Sequence, residues 1–203
     1  MILAIDTSTA NCSVALFADG GALIDAHDEV IGRGHAEQLV PMIERLLAGR
    51  TPTEILIGCG PGSFTGLRVG LAAAHGMAIG WDIPLAGMSS LALLAAGAPG
   101  DGPVAAAVTG GHGELFVQAF DRPALAPISE LLNLSPDAAA AAVATPLVAG
   151  NGAALLVAAR GSGEALDLYP SARNALQLPG ALRSLDPHPI YGRAPDARAR
   201  QAA

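Results

Sequence analysis

Residues 58–70, GCGPGSFTGLRVG, contain five glycines and a proline, and no other stretch of the chain constrains its fold as strongly. The preceding residues 54–57, EILI, are typical of a buried strand. Gly60, Pro61 and Gly62 indicate a turn that needs a residue free to adopt positive φ. Ser63 then occupies an N-cap position. The sequence therefore predicts a strand, a tight turn and a helix that extends to about Gly80.

Glycine is unusually frequent inside this predicted helix. Gly66, Gly70 and Gly76 each cost about 1 kcal/mol relative to alanine in a helix interior. Gly66 and Gly70 recur with Ala73 and Met77 at spacings of three and four, which gives one face a seam of small residues. Such a seam permits close approach by another element. A tight contact within the chain and an interface with a partner both explain it.

Residues 35–48 predict a second helix, with an apolar face wider than one contact requires. At about 100° per residue its apolar side chains cover an arc of about 160°, against roughly 100° for a surface helix that packs on a core. These side chains are Leu39, Val40, Met42, Ile43, Leu46 and Leu47. Burial between two layers of the same chain explains the arc, and a subunit interface explains it equally well.

The order of the predicted elements is α/β. Residues 1–28 indicate three strands of an antiparallel meander, and the chain then continues as helix, strand, helix, strand and a helix from Ser89 or Ser90. This order is typical of a lobe with a mixed sheet, and we assign that lobe to residues 1–98.

A weaker copy of the opening pattern follows the linker-like run at 97–103. Asp6 and Thr109 each lie eleven residues before a phenylalanine that closes a second strand, Phe17 and Phe120 respectively. We therefore expect a second, reduced lobe over residues 103–192. Residues 193–203 are expected to form a flexible tail.

Composition limits the classes of function. The 203 residues are 51% hydrophobic, so the chain can bury a sizeable core. A formal net charge of −7 and only 3% aromatic residues argue against a protein that binds nucleic acid on its own. The local exception is the tail, with Arg193, Arg198 and Arg200.

The sequence also bears on localisation. No apolar run reaches bilayer-spanning length and no secretory signal is evident. Cys12 and Cys59 fit a reducing compartment, so we expect a cytoplasmic protein.

Asp6, at the end of the first strand, resembles the acid of the first phosphate loop in the actin, sugar-kinase and Hsp70 (ASKHA) superfamily. That resemblance implies a two-lobed actin-like fold. Thr7 and Ser8 stand where the superfamily has glycine, and Thr109 stands where it has a second acid, so Asp6 and Thr7 are only weak nucleotide candidates. Asp6 is equally interpretable as a turn acid that caps neighbouring amides. The five histidines show no two-histidine metal spacing, and we assign no catalytic residue, cofactor or metal.

Five segments together resemble the TsaB (YeaZ) family. They are MILAIDTST at 1–9, HAEQLVPM at 35–42, GPGSFTGLRVG at 60–70, GELF at 113–116 and PIYGRAPD at 189–196. The segment at 60–70 is the most specific of them. The resemblance extends over both expected lobes.

This resemblance implies a non-catalytic scaffold subunit of the machinery that installs N6-threonylcarbamoyladenosine beside the anticodon of tRNA. Its implied partners are a TsaD-like catalytic subunit and a TsaE-like ATPase, with tRNA bound only through the complex. It also implies contact through the two helices above, and we expect a homodimer when the partner is absent. The implied interface residues are His35, Leu39, Met42, Ile43, Leu46, Gly66, Gly70, Ala73 and Met77. The alternatives are an ATP-dependent kinase-like enzyme and, less favoured for lack of histidine ligands, a metalloprotease.

Overall fold

The computed structural model describes residues 1–191, and it begins with a five-stranded mixed sheet. The strands are β1 (Ile2–Asp6), β2 (Asn11–Phe17), β3 (Leu23–Val30), β4 (Glu54–Gly58) and β5 (Leu85–Met88). They are ordered β3-β2-β1-β4-β5. The first three strands are antiparallel, whereas β4 runs parallel to β1 and β5 parallel to β4. The predicted meander is confirmed, although β3 is longer than the sequence indicated.

Three helices sandwich this sheet. Helices α1 (His35–Leu47) and α2 (Phe64–Trp81) cover one face, where Leu3 and Ile5 of β1 join their core, and α3 (Ser90–Gly97) lies against the opposite face. The predicted N-cap is confirmed, because the amide of Gly66 donates to the Ser63 hydroxyl over 3.3 Å.

The second sheet repeats the connectivity of the first. Its strands are β6 (Val104–Thr109), β7 (Leu115–Asp121), β8 (Ala126–Pro127), β9 (Leu132–Leu134), β10 (Leu147–Ala149) and β11 (Glu164–Leu166). They are ordered β11-β10-β6-β7-β8, with β9 also paired to β7. A central antiparallel hairpin again has parallel strands on one side. Phe17 pairs with Ile2 and Phe120 with Val104, so the two hairpins correspond as the sequence repeat predicted.

The two sheets share a core that α3 fills. Leu91, Leu93 and Leu94 of α3 are fully buried in a cluster that draws residues from both sheets. Helices α4 (Pro136–Ala142) and α5 (Ala153–Arg160) cover the outer face of the second sheet. The architecture is therefore α/β, with two mixed sheets and one helix buried between them.

The last described segment returns to the first sheet. A 3-10 turn (Ala172–Gln177) is tied to β2, since the amide of Ala172 donates to the Ser13 hydroxyl over 2.7 Å. After the short helix α6 (Gly180–Arg183), the amide of Gly87 donates to the carbonyl of Leu185 over 2.7 Å. The expected second lobe at 103–192 thus ends in a segment whose contacts are with the first lobe. The expected tail at 193–203 lies outside the described residues.

Within residues 1–191, no helix is both long enough and apolar enough to cross a bilayer.

Candidate partner interface

The glycine-rich turn packs against the loop that follows β1. The amide of Ser63 donates to the carbonyl of Ser8 over 2.7 Å, and the Thr7 hydroxyl donates to the carbonyl of Gly66 over 2.8 Å. A Cβ atom on Gly66 would collide with the carbonyl oxygen of Thr7, and one on Gly70 with the hydroxyl of Thr7. Glycine is required at both positions because the 7–9 loop touches the backbone of α2.

This contact corrects part of the expected interface. Gly66 and Gly70 are buried inside the chain, so the intramolecular explanation of the seam holds for them and they are not available to a partner in this conformation. The element that approaches them is a loop rather than a second helix. The spacing in the sequence predicted the close approach but could not identify which element makes it.

The expected contact residues of α1 need the same correction. His35, Leu39, Met42, Ile43 and Leu46 are all buried within the chain. The four apolar side chains among them belong to the core between α1, α2 and the first sheet. A helix that covers a sheet needs a broad apolar face, and the sheet below it accounts for the width of the arc.

Val40 is the exception on α1. It lies at the edge of the same apolar arc, yet 55% of its surface is exposed. No contact with the sheet explains an apolar residue there, so this edge of the arc remains open to a partner.

Asp6 lies beneath the glycine-rich turn with both carboxylate oxygens occupied. Oδ1 accepts from the amide and hydroxyl of Ser8 over 2.9 and 2.7 Å, and Oδ2 accepts from the hydroxyl of Ser90 over 2.6 Å. Burial raises the pKa of the Asp6 carboxyl above its ordinary 3.8, and the hydrogen bonds from Ser90 and Ser8 partly oppose that shift. The Ser8 amide is the contact that the turn-acid interpretation predicted. Ser90 was missed because it is distant in sequence.

The equivalent strand end in the second lobe is uncharged. The amide of Thr109 donates to Oδ1 of Asn151 over 3.1 Å, and Nδ2 of Asn151 donates to the Thr109 hydroxyl over 3.0 Å. Asn151 follows β10 directly in the run Gly150-Asn151-Gly152, a turn signal that was visible in the sequence. Residues 1–191 contain no group of three histidine, cysteine, aspartate or glutamate side chains arranged to hold a metal ion.

The side of α2 that faces away from the sheet carries apolar and small residues. Ile79 is 80% exposed and Ala72 is exposed, whereas Ala73 and Met77, at the edge of this side, are half-buried and also pack against the core. A Cβ atom on Gly76 would meet no atom within 4 Å, and the same holds for Gly80. Nothing described within the chain therefore requires glycine at these two positions.

We call this surface the outer helical face. It comprises Val40 of α1 with Ala72, Ala73, Gly76, Met77, Ile79 and Gly80 of α2. Helices α1 and α2 lie in contact on the same side of the sheet, and we group their exposed residues as one candidate surface. Two of the expected interface residues, Ala73 and Met77, belong to it.

The outer helical face left a signal in the sequence. Helix α2 is apolar or small on nearly every side, a pattern expected of a helix with contacts on more than one face. Gly76 and Ile79 lie about 200° and 140° around the axis from buried Ala74 at 100° per residue. A search for apolar residues opposite the core stripe would have found them.

The chain is similar to known families and proteins. A family model described as TsaD, tRNA N6-adenosine threonylcarbamoyltransferase, matches residues 26–126. The tRNA threonylcarbamoyladenosine biosynthesis protein TsaB of Escherichia coli (strain K12) is 41% identical over 129 residues, which cover 60% of this chain and 55% of that protein. The TsaB protein of Haemophilus influenzae is 43% identical over 100 residues, which cover 46% and 41% respectively. The chain thus spans about half the length of these relatives.

Among solved structures, YeaZ from Pseudomonas aeruginosa superposes with a TM-score of 0.77. The two chains are 30% identical, and the match covers 94% of this chain and 98% of the other. Agreement over nearly the whole of both chains, in sequence as well as structure, shows that this chain belongs to the TsaB (YeaZ) family.

Proposed function

We propose that this chain is a non-catalytic scaffold subunit in the biosynthesis of threonylcarbamoyladenosine in tRNA. In this proposal it pairs with a TsaD-like catalytic subunit, while a TsaE-like ATPase and tRNA join through the complex. The names of the curated relatives support the pathway, and the description of the matching family model supports a TsaD-like partner. We place this activity in the cytoplasm.

The outer helical face is the observation that carries the proposal. Gly76 and Gly80 each cost about 1 kcal/mol relative to alanine in a helix interior, and no described neighbour requires them. Small residues at such positions let a partner helix approach the backbone of α2, and Ile79 and Val40 would supply apolar area beside that contact.

The surroundings of Asp6 support a scaffold rather than a kinase. Asp6 is buried and its two carboxylate oxygens already accept hydrogen bonds from Ser8 and Ser90, so a magnesium ion would have to enter a buried site that hydroxyls of the chain already surround. The Thr7 hydroxyl is likewise committed to Gly66.

The direct test is reconstitution of the complex. The isolated chain should neither transfer a threonylcarbamoyl group nor hydrolyse ATP at a significant rate. Addition of the chain to a TsaD-like subunit and a TsaE-like ATPase should restore modification of an unmodified tRNA. Robust ATP turnover by the isolated chain, abolished by Asp6→Ala, would overturn the proposal and favour the kinase alternative.

A second test concerns the free protein. The same outer helical face would be covered by a second copy when the partner is absent, which gives a homodimer. Light scattering should report a dimer that dissociates as the TsaD-like subunit is added. A monomer at high micromolar concentration, or a complex that retains the homodimer, would contradict this use of the face.

A further inference from the structure

The segment that ends the described chain runs beside α2 and places aromatic and basic side chains together. The amide of Ile190 donates to the carbonyl of Cys59 over 2.8 Å, which brings Tyr191 to the first turn of α2. The rings of Tyr191 and Phe64 lie 5.9 Å apart between centroids, and the Arg68 guanidinium lies 3.6 Å from the centroid of Phe64. We call these three residues the Phe64 cluster.

The Phe64 cluster is exposed despite its apolar rings. Phe64 is 55% exposed and Tyr191 is 46% exposed, and within residues 1–191 they are the aromatic members of the exposed large hydrophobic residues. Only 3% of the residues of the whole chain are aromatic, so two neighbouring exposed rings are unusual for this chain. Because these two rings lie outside the hydrophobic core, core packing does not explain why they are aromatic.

Among residues 1–191, the Arg68 guanidinium contacts the ring of Phe64, and none of its donors takes part in a hydrogen bond or an ion pair with these residues. A guanidinium stacked on a ring keeps its five N–H donors directed to the sides, where a phosphate oxygen is a suitable acceptor.

The segment that leads to Tyr191 also contacts α2 further along the helix, through two histidines. Nε2 of His75 lies 3.0 Å from the carbonyl oxygen of Pro187, and the rings of His75 and His188 are 6.4 Å apart. Asp186 is the local acid, and its carboxylate is paired with Nδ1 of His188 at 2.7 Å.

The Phe64 cluster is separate from the glycines of the outer helical face. Phe64 precedes Gly76 by twelve residues, which corresponds to about 18 Å along a helix axis. A helix that approaches α2 closely at Gly76 and Gly80 would therefore leave the first turn of α2 accessible.

We propose that the Phe64 cluster is a stacking site for an unpaired RNA base, with Arg68 contacting an adjoining phosphate. Exposed rings accept any base, since every base has a π-face, and an arginine beside them binds the backbone. This inference rests on the proposed function, which brings tRNA to the complex and would present the bases of its anticodon loop. A protein partner is the competing occupant, and RNA affinity measured separately from protein pairing distinguishes the two.

The test uses the complex of this chain with a TsaD-like subunit and an unmodified anticodon stem-loop RNA as the probe. Pairing of the two proteins is first measured by calorimetry without RNA, and RNA affinity is then measured by fluorescence anisotropy at several salt concentrations. The variants are Tyr191→Ala and Arg68→Gln. The matched control is Arg45→Gln, which removes the same charge from α1, where Arg45 pairs with Glu29.

Tyr191→Ala should weaken RNA binding by about tenfold, the size expected for the loss of one stacked base. Arg68→Gln should weaken it and lower the slope of log affinity against log salt by about 0.7, while Arg45→Gln leaves both unchanged. All three variants should pair normally with the TsaD-like subunit. Unchanged RNA affinity in both cluster variants would overturn the inference, and so would a loss of protein pairing, which would assign the cluster to the partner. If the unaltered proteins do not pair at all, the proposed function fails, and the inference fails with it.

Discussion

Helix α2 contains two pairs of glycines that serve different purposes. Gly66 and Gly70 lie against the loop at 7–9, where a single methyl group would collide with Thr7. Gly76 and Gly80, about two to four turns further along, have open space where a side chain would be. The first pair is explained by the fold of the chain, whereas no contact among the described residues explains the second pair.

Substitutions at the two pairs of glycines should separate effects on folding from effects on association within one helix. Substitutions at the first pair should damage the folded chain before they affect any partner. Substitutions at the second pair should leave the chain folded, and even stabilise it, while they weaken pairing. The same division applies to neighbouring residues of α1, where Leu39 is buried and Val40 is exposed.

The largest expected effect comes from Leu39→Asp. An unpaired carboxylate would be placed in a dry core, so we expect a loss of at least about 4 kcal/mol in the free energy of unfolding, or no folded protein. Val40→Asp is the matched control and should change it by about 0.5 kcal/mol or less. Chemical denaturation of both variants measures the difference. Similar losses in the two would show that the exposed edge of α1 is not distinct from its buried face.

Gly66→Ala should have the next largest effect. Helix propensity favours alanine by about 1 kcal/mol. However, the methyl group meets the backbone carbonyl of Thr7, and the 7–9 loop cannot move away without loss of the hydrogen bonds that the Ser8 carbonyl and the Thr7 hydroxyl make. We expect a net destabilisation of about 2 kcal/mol. A rise in stability would mean that the loop contact is loose and that the glycine has another role.

Gly76→Ala should act in the opposite direction. No atom lies near the added methyl group, so propensity alone operates and the free energy of unfolding should rise by about 1 kcal/mol. Thermal melts of the Gly66→Ala and Gly76→Ala variants, measured together, compare the two pairs of glycines in one experiment. Destabilisation of the isolated monomer by Gly76→Ala would remove the distinction between them.

The free energy of unfolding should depend on pH through Asp6, the buried acid at the start of the loop that contacts Gly66 and Gly70. Because burial raises the folded-state pKa of Asp6, the stability it contributes is complete below the unfolded-state pKa and is lost as the pH rises through the folded-state value. The Asp6→Asn variant has no carboxyl group at this position and therefore serves as the reference. From about pH 3 to about pH 7, the free energy of unfolding of the wild-type chain should fall relative to that of Asp6→Asn. Equal slopes, or a relative rise, would contradict the raised pKa.

Much of the first lobe could be predicted from the sequence. The strand before the turn, the Ser63 cap and both long helices are visible because apolar periodicity and local capping signals are determined by short segments. Short elements of the second lobe were missed, among them β8, β11 and α4. Helix α4 is almost entirely alanine after Pro136 and Asp137, so no contrast between faces marks it, and packing of Ala139 on the core helps to position it.

The candidate interface shows a more general limit of sequence patterns. Periodic apolar residues such as Leu39 and Met42 indicate that a face is buried, but not whether the chain or a partner buries it. The distinction depends on which elements meet in three dimensions, as at Gly70 and Thr7, which are far apart in sequence. The hydrogen bond between Ser90 and Asp6 could not be predicted for the same reason, because these residues are also far apart in sequence.

The measurement that tests the central claim most directly is a calorimetric titration of a TsaD-like subunit into the Gly76→Leu variant, beside a thermal melt of that variant alone. Ala158→Leu, a comparable enlargement on the exposed side of α5, is the matched control. If a partner approaches the backbone of α2 at Gly76, the variant should melt no lower than the wild-type chain and bind at least about tenfold more weakly, while the control binds normally. A Gly76→Leu variant that stays folded and binds with unchanged affinity would contradict the assignment of the outer helical face as the partner interface.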